Sequence, residues 1–385
     1  MVRDLHGSEQ TQGRRPARRW RALKLAGALL LVLLAALVAL SGLSNLFLPT
    51  GPAALDRLDP LDKARLSEAR HAERVLGDVV WPGFGDSDIP LSVWNHDYAF
   101  LVGYPAPPAD WSAVAGDDFE RQTYYRQPAR DPQNFAIQVG GWRVASMATK
   151  WETDSFLIAQ FRKMMPGPLK PIFPYRLLIQ PSEVQITGVL HEAFHVFEAE
   201  RAPARFADAE RAYPDSSRYW AADPAMREAW QAEIDLLDRA VRAQTNAEAA
   251  QLARQFLAQR AQRRDQQRLE PALVSYERRY EWLEGLAKYV ELEIWEQAAA
   301  MPGYTAVPDL AADPDFKGYA TFQSRWSQEL GQMRRQAASE GDTRFYYTGM
   351  AQATLLDRLL PGWKARIFGE GAWPETLLAE AARAR

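Results

Sequence analysis

The stretch GVLHEAFHVFEAE (residues 188–200) places two histidines four residues apart in an otherwise apolar run, in a chain with only five histidines among 385 residues. Positions four apart share one face of a helix, with Cβ atoms about 5–6 Å apart, so His191 and His195 can direct ring nitrogens at one metal ion. The alternative is a pair of ordinary structural histidines, which would each need hydrogen-bond partners when buried. The spacing favours a metal site.

The chain has no cysteine, so histidine and carboxylate side chains are the remaining strong metal ligands. Nitrogen and oxygen donors at this spacing suit zinc, and we expect one Zn²⁺ per chain. A catalytic zinc takes three protein ligands and leaves the fourth position for water, so a carboxylate is expected to complete the set. Glu192, between the two histidines, would lie beside the ion as general base and then general acid.

The third ligand is sought in YERRYEWLEGLAKYVELE (residues 276–293), a helical pattern unusually rich in glutamate. Four of its glutamates are candidates: Glu277, Glu281, Glu284 and Glu291. The first three share one helical face, so spacing alone does not choose among them.

Together, HEAFH and WLEGLA (residues 282–287) resemble the motifs of the gluzincins, zinc metallopeptidases that combine a His-Glu-x-x-His helix with a glutamate on a later helix. The resemblance implies that Glu284 is the third ligand, with Gly285 and Ala287 allowing the two helices to approach closely. The chain departs from the family because the interval between its second histidine and the glutamate is longer. The interval here is 284 minus 195, or 89 residues. We interpret the excess as an inserted helical hairpin at 225–265.

The resemblance also implies an oxyanion donor, often tyrosine or histidine, beyond the third ligand. The best candidate segment for this donor is DTRFYYTGMAQATLLDRLLPGWK (residues 342–364), where Asp342 is expected to cap a helix. Tyr347 is slightly preferred over Tyr346, Tyr289 is a weaker candidate, and all three could instead serve packing alone.

Gluzincins bind an extended peptide along the edge strand of a sheet that precedes the zinc helix. By this fold-level analogy, residues 139–147 or 175–180 are expected to form that strand.

The N-terminal region predicts a membrane anchor. No residue between Lys24 and Asp56 is charged, and the apolar run at 25–43 is long enough to cross a hydrocarbon core of about 30 Å. Basic residues precede the run and aspartates follow it, which predicts a cytoplasmic N-terminus. A cleaved signal peptide is the alternative, but the apolar run exceeds the usual length of its apolar region.

The rest of the chain predicts a predominantly helical α+β fold. The expected order is a basic tail (1–24), a transmembrane helix (25–48), a linker ending in a polar helix that holds the body away from the membrane (49–75), a β-rich subdomain (76–180) and a helical domain (181–385). A hairpin should turn at Gly140-Gly141. Capping boxes, Ser182 with Gln185 and Thr245 with Glu248, should begin two helices.

These features predict a zinc metallopeptidase, anchored in the inner membrane by one span, that cleaves peptide or protein substrates in the periplasm or outside the cell. Two alternatives are an inactive metallopeptidase-like scaffold and a zinc hydrolase of non-peptide amides. The net charge is −3 and no basic stripe follows the N-terminal tail, so nucleic acid is not expected as a partner. The sequence indicates no oligomeric state.

Overall fold

We describe the protein from a computed structural model, which covers residues 15–49, 51–219, 223–339 and 341–384. The chain divides into two compact units. The first contains the described residues up to Gly51 together with Thr153–Ile179, and the second contains Pro52–Glu152 and the described part of Gln180–Arg385.

The predicted fold class is confirmed, because helices dominate the chain and accompany one six-stranded sheet. The helices are α1 (Arg15–Ser44), α2 (Pro60–Val80), α3 (Lys150–Met164), α4 (Ser182–Arg201), α5 (Pro203–Arg211), α6 (Ser216–Tyr219), α7 (Pro224–Arg242), α8 (Asn246–Gln266), α9 (Pro271–Ala300), α10 (Phe322–Arg335), α11 (Thr343–Leu359) and α12 (Pro374–Arg383). The strands are β1 (Leu91–Trp94), β2 (Tyr98–Val102), β3 (Ser112–Ala113), β4 (Tyr125–Pro128), β5 (Phe135–Val139) and β6 (Trp142–Ala148).

Among the described residues, one helical segment is long and apolar enough to cross a membrane. It runs from Leu23 to Phe47 and is 25 residues long, and its most apolar part is not buried within the protein. At about 1.5 Å per residue this length exceeds the thickness of a hydrocarbon core. The predicted apolar helix is therefore present.

Helix α2 departs from the predicted spacer between membrane and body. Asp59 caps it by accepting a hydrogen bond from the Leu61 backbone at 2.9 Å, and the helix packs against α4 and α9. Leu66, Ala69 and Leu76 are fully buried. Four of its charged residues, Asp62, Arg65, Glu68 and Glu73, are buried as well, so this helix belongs to the core of the second unit and is not a linker.

The sheet has the strand order β3-β4-β2-β1-β6-β5. Strands β5 and β6 form the predicted hairpin, which turns at Gly140-Gly141 with Gly140 at φ 54°. Strand β6 lies between β5 and a parallel partner, β1. The prediction of 139–147 as an edge strand is therefore wrong, since the edge on this side is β5. The sheet and the helical domain, predicted as separate subdomains, belong to the same compact unit.

The second candidate edge strand, residues 175–180, is also wrong. Tyr175–Leu178 forms a short 3₁₀ helix. Pro171 and Pro174 precede it, and proline favours tight turns and cannot donate a backbone hydrogen bond to a neighbouring strand. The apolar side chains of this stretch therefore do not indicate a strand.

Helix α4 occupies the predicted span, but the capping box expected at its start is absent. Pro181 is the N-cap residue, and no side chain caps the helix. The Ser182 hydroxyl donates to Asp313 at 2.7 Å, and the Gln185 amide donates to the Ala148 carbonyl at 2.6 Å. Both side chains are thus used in tertiary contacts with other elements.

Helices α7 and α8 form the predicted hairpin and pack against one another. Thr245 caps α8 through the Glu248 backbone at 3.2 Å, whereas the Glu248 carboxylate accepts from Gln244, so only half of the expected capping box forms. Helix α8 directs two buried arginines at α9: Arg260 pairs with Glu281 at 2.6 Å, and Arg263 with Glu277 at 2.7 Å. The hairpin of α7 and α8 therefore supplies positive charge to the core.

Helices α9 and α11 meet at two facing glycines. A Cβ atom at Gly349 would lie 2.7 Å from the Gly285 Cα and closer still to the Glu281 carbonyl oxygen. Gly285 thus permits the close approach of α9 to α11. The expected role of Gly285, in the approach of α9 to the helix that carries the histidines, is not what the structure shows. Any side chain here must push the two backbones apart.

We predict that Gly349→Ala lowers the free energy of unfolding by about 1–3 kcal/mol or more, because the added methyl group has no room between the helices. Thermal unfolding of the purified protein in detergent measures the effect. The matched control is Gly331→Ala in α10, where the nearest atom is Arg335 Nη1 at 3.8 Å and alanine should stabilise the helix. An unchanged melting temperature for Gly349→Ala would contradict the close contact.

Candidate metal centre

Helices α4 and α9 bring together the three side chains predicted as metal ligands. Ligand atoms of His191, His195 and Glu284 all lie within 4.8 Å of one another, and all three residues are buried. Glu284 Oε2 is 3.4 Å from His191 Nε2 and 3.3 Å from His195 Nε2. The two imidazoles therefore converge on the same carboxylate oxygen.

The spacing of these atoms fits a shared ion. Ligand atoms about 2.1 Å from a tetrahedral metal ion are about 3.4 Å apart, whereas hydrogen-bonded nitrogen and oxygen atoms are usually about 2.9 Å apart. His195 Nε2 is buried and has no hydrogen-bond partner in the described chain. Buried polar atoms are rarely left unpaired in proteins. The group of His191, His195 and Glu284 could thus hold a metal ion.

The opposite ring nitrogens of the histidines face two further carboxylates. His195 Nδ1 is 2.9 Å from Glu198 Oε2, and His191 Nδ1 is 3.5 Å from Glu291 Oε2. Metal-binding histidines commonly have such carboxylate partners, which fix the tautomer and aim the other nitrogen at the ion. Sequence reasoning missed Glu198, although its position three residues after His195 places it within reach on the helix.

The remaining glutamates of α9 have other partners. Glu281 accepts hydrogen bonds from Arg260 and, at 2.6 Å, from the Thr348 hydroxyl. Glu277 is paired with Arg263 and Arg264. Glu291 faces the outer nitrogen of His191 and is held by Lys288 at 2.8 Å. Glu284 is the glutamate of this helix that lies at the convergence of the two Nε2 atoms, as the resemblance implied.

Glu192 lies on the same buried surface. Burial raises the pKa of its carboxyl to about 7, although the imidazoles of His191 and His195 act in the opposite direction. Its Oε2 atom is buried without a hydrogen-bond partner in the described chain. A carboxyl group with this pKa can take up and release a proton near neutral pH.

The electrostatics of the centre favour a cation. Burial disfavours protonated histidine, but the Glu284 and Glu291 carboxylates outweigh it and raise the pKa of His191 to about 9. The carboxylates of Glu284 and Glu198 likewise raise the pKa of His195 well above its ordinary value. Four buried carboxyl groups surround the imidazoles: Glu192, Glu198, Glu284 and Glu291. Positive charge, whether protons or a metal ion, is stabilised here.

Of the candidate tyrosines, the structure brings Tyr346 to the histidines. Its ring stacks on that of His191, with centroids 5.9 Å apart, and burial together with the nearby Glu284 carboxylate raises the pKa of its phenol well above the ordinary value. Tyr347, preferred from the sequence, instead neighbours Glu329. The Tyr289 hydroxyl donates to Asp357 at 2.7 Å. Asp342 precedes α11, but its side chain does not cap the helix.

The fold and the site together define a mainly helical α+β protein with a buried His-His-Glu group that could hold a metal ion. Comparison of the chain with protein-family models, curated proteins and solved structures finds no match. Its function must therefore be inferred from the side chains of the site, since fold class alone does not define function.

We predict that Glu198→Gln weakens divalent metal binding about 10- to 100-fold, because glutamine cannot hold His195 as a carboxylate does. Cobalt(II) titration, followed by its visible absorption, measures the affinity. Glu200→Gln is the matched control, since Glu200 lies on the same helix but is exposed. Equal affinities for the two variants would show that Glu198 does not support the site.

Proposed function

We propose that the protein is a zinc metallopeptidase, anchored in the membrane by α1, that hydrolyses peptide bonds outside the cytoplasm. The observation that carries the proposal is the convergence of His191 Nε2 and His195 Nε2 on one oxygen of Glu284, at 3.4 and 3.3 Å. Glu192, which lies between the two histidines in the sequence, is buried beside them. Two helices would thus supply the ligand set and the general base.

The donor set supports zinc. Two imidazoles and one carboxylate, without sulfur, are typical of a catalytic zinc site with an open fourth position. His191, His195 and Glu284 would hold the ion. When bound, zinc polarises a carbonyl group and makes water a better nucleophile near neutral pH.

The protein's own residues would carry the proton transfers. Glu192 would accept a proton from the attacking water and deliver it to the leaving amine. Burial raises the pKa of the Tyr346 phenol well above its ordinary value, so it stays protonated. Its hydroxyl can then donate a hydrogen bond to the oxyanion that develops on the substrate.

Strand β5 is the best candidate for substrate binding. It forms the edge of the sheet next to α4, and the ring of Phe135 at its start lies 4.9 Å from that of His195. A peptide in extended conformation could pair with the free side of such a strand by backbone hydrogen bonds, as in other cases of strand addition. This assignment replaces the two segments expected from the sequence.

The proposed topology follows from charge. Six basic residues lie within 14–24 and the first charged residues after the apolar segment include Asp56, Asp59 and Asp62. The asymmetry favours a cytoplasmic N-terminus, with the second unit on the other side of the membrane. In a bacterium with two membranes, the anchor would lie in the inner membrane and the catalytic unit in the periplasm.

The full-length protein, purified in detergent, tests the proposed chemistry. We expect one zinc per chain by elemental analysis, and cleavage of members of a quenched fluorescent peptide library. His191→Ala should lose most of the zinc. Glu192→Gln should keep the zinc and lose about 10²–10⁴-fold in kcat, because the proton acceptor is removed.

His96→Ala is the matched control, since His96 is exposed and paired with Glu152 at 3.2 Å. It should retain both zinc and hydrolysis. Full activity of Glu192→Gln would contradict the assigned base. Zinc without hydrolysis of any peptide, but with cleavage of cell-wall amides, would favour the non-peptide hydrolase.

For the oxyanion donor, we expect Tyr346→Phe to lower kcat about 10²–10³-fold with little change in zinc content, because one hydrogen bond to the developing charge is lost. Steady-state kinetics on the best library peptide measure the effect. Tyr347→Phe removes the same atom from the adjacent residue and should remain close to wild type. The reverse order of effects would reassign the role to Tyr347.

A further inference from the structure

The segment Thr153–Ile179 has a charge bias that the proposed chemistry does not use. Between Asp154 and Glu183, every charged residue is basic. These residues are Arg162, Lys163, Lys170 and Arg176, and all four are exposed. The chain as a whole carries a net charge of −3, so the positive charge of this segment is opposite in sign to the net charge of the protein.

The same segment exposes large apolar side chains. Leu177 is 77 % exposed, Met164 68 % and Phe156 60 %, and Leu169 is also exposed. Single exposed apolar residues are ordinary on protein surfaces, but several in one short segment indicate a surface that meets an apolar environment. Basic and apolar side chains together are typical of segments that lie in the interface of a membrane.

Hydrogen bonds tie this segment to the end of the apolar helix. The Asn45 side chain donates to the Phe173 carbonyl at 2.9 Å and accepts from the Tyr175 backbone at 3.0 Å. Arg176 donates to the Phe47 carbonyl at 2.8 Å. Residues 45–47 are the last of the stretch that is long enough to span a membrane. The segment is therefore attached where that stretch ends, and a bilayer crossed by the stretch would have its headgroups near this point.

An open cleft of about 520 Å³ lies at this attachment. Its lining consists of Asn45, Arg162, Lys163, Lys170, Pro171 and Tyr175. The Arg162 guanidinium lies 4.7 Å from the centre of the Tyr175 ring, which holds it in place at the cleft. Three cations around one cleft suit a phosphate ester, to which arginine and lysine donate charge-assisted hydrogen bonds.

We propose that Thr153–Ile179 is a membrane-interface segment, in which the exposed apolar side chains enter the boundary between headgroups and acyl chains while Arg162, Lys163 and Lys170 bind the phosphates of anionic phospholipids. The proposal depends on the membrane anchoring by α1 and is independent of the metallopeptidase activity. Continuity with the spanning helix favours lipid over a protein partner, because any bilayer that surrounds α1 already reaches residues 45–47. The segment would hold the first unit against the bilayer surface by contacts additional to the span.

Depth measurements by spin labelling test the apolar part of the proposal. The chain has no cysteine, so single cysteine variants of the full-length protein can be labelled specifically. In vesicles, nitroxides at Leu169→Cys and Leu177→Cys should collide more often with lipid-soluble oxygen than with a water-soluble nickel complex. Greater access of the nickel complex at both positions would overturn the proposal.

Two further positions separate failure of this proposal from failure of the anchor. A nitroxide at Leu34→Cys reports whether α1 is in the bilayer, and one at Gln251→Cys on α8 gives the value for an exposed residue of the second unit. Lipid exposure at Leu34 with water exposure at Leu169 and Leu177 would refute the interface segment alone. Water exposure at Leu34 would refute the anchor and, with it, this proposal.

Lipid preference tests the basic cleft. Each cation near an anionic membrane surface favours association about five-fold, so R162Q/K163Q/K170Q should lose at least about ten-fold of the preference for phosphatidylglycerol over phosphatidylcholine. The preference is read from the lipids retained after purification from mixed vesicles. The matched control is R227Q/R239Q/R335Q, three exposed arginines of the second unit, which should keep it. Equal retention by the two triple variants would overturn the lipid assignment.

Discussion

The burial of four glutamates along one face of α9 is the constraint on which the rest of the second unit depends. Glu277, Glu281, Glu284 and Glu291 are all buried and recur at spacings that keep them on one side of the helix. A buried carboxylate costs several kcal/mol unless positive charge or hydrogen-bond donors compensate it. The elements around this face supply such groups. Helix α8 supplies arginines to the first two glutamates, and α4 supplies histidines to the last two.

This division of partners gives a structural role to the helical hairpin between the two histidines and Glu284. Helices α7 and α8 do more than lengthen the chain, because Arg260, Arg263 and Arg264 engage Glu277 and Glu281. The arginines overcome the effect of burial and hold the pKa of Glu277 at about 2, so that it stays ionised and paired. With those two carboxylates engaged, Glu284 and Glu291 are the glutamates of this face that meet the imidazoles of α4.

The sequence allowed part of this arrangement to be predicted, for reasons specific to each element. The HEAFH spacing is a local property of one helix, so His191 and His195 could be placed together without the fold. Glu284 required the resemblance of WLEGLA, since four glutamates with similar spacing were available. Tyr346 and Tyr347 could not be distinguished, because adjacent helical residues point about 100° apart and the orientation of α11 is set by its contact with α9. That contact depends on Gly349, which meets a residue 64 positions earlier, Gly285.

Three predictions fail at residues whose partners are distant in sequence. The position of β6 inside the sheet follows from its parallel pairing with β1. The residues of β6 alone do not identify β1 as its partner, because a long crossover separates two parallel strands in the sequence. The charged composition of α2 is typical of a polar spacer, but the helix packs against α4 and α9, and four of its charged residues, Asp62, Arg65, Glu68 and Glu73, are buried with its apolar ones. Ser182 and Gln185 matched a capping box but are drawn into tertiary contacts that compete with capping.

The same charge constraint connects the candidate site to the stability of the fold. His191, His195 and Glu284 join α4 to α9 at a place where three carboxyl groups, Glu192, Glu198 and Glu284, outnumber two imidazoles, while the fourth, Glu291, also pairs with Lys288 and Arg325. Protons on the histidines can offset part of this charge, as the raised pKa values of both imidazoles indicate. A divalent ion would offset more of it and would leave the imidazoles neutral, as metal ligands must be. Because such an ion binds only when the two helices are packed together, its binding free energy would add to the free energy of unfolding. The surplus of buried carboxylates is thus an unfavourable feature of the fold by itself and a favourable one for a protein that binds a cation there.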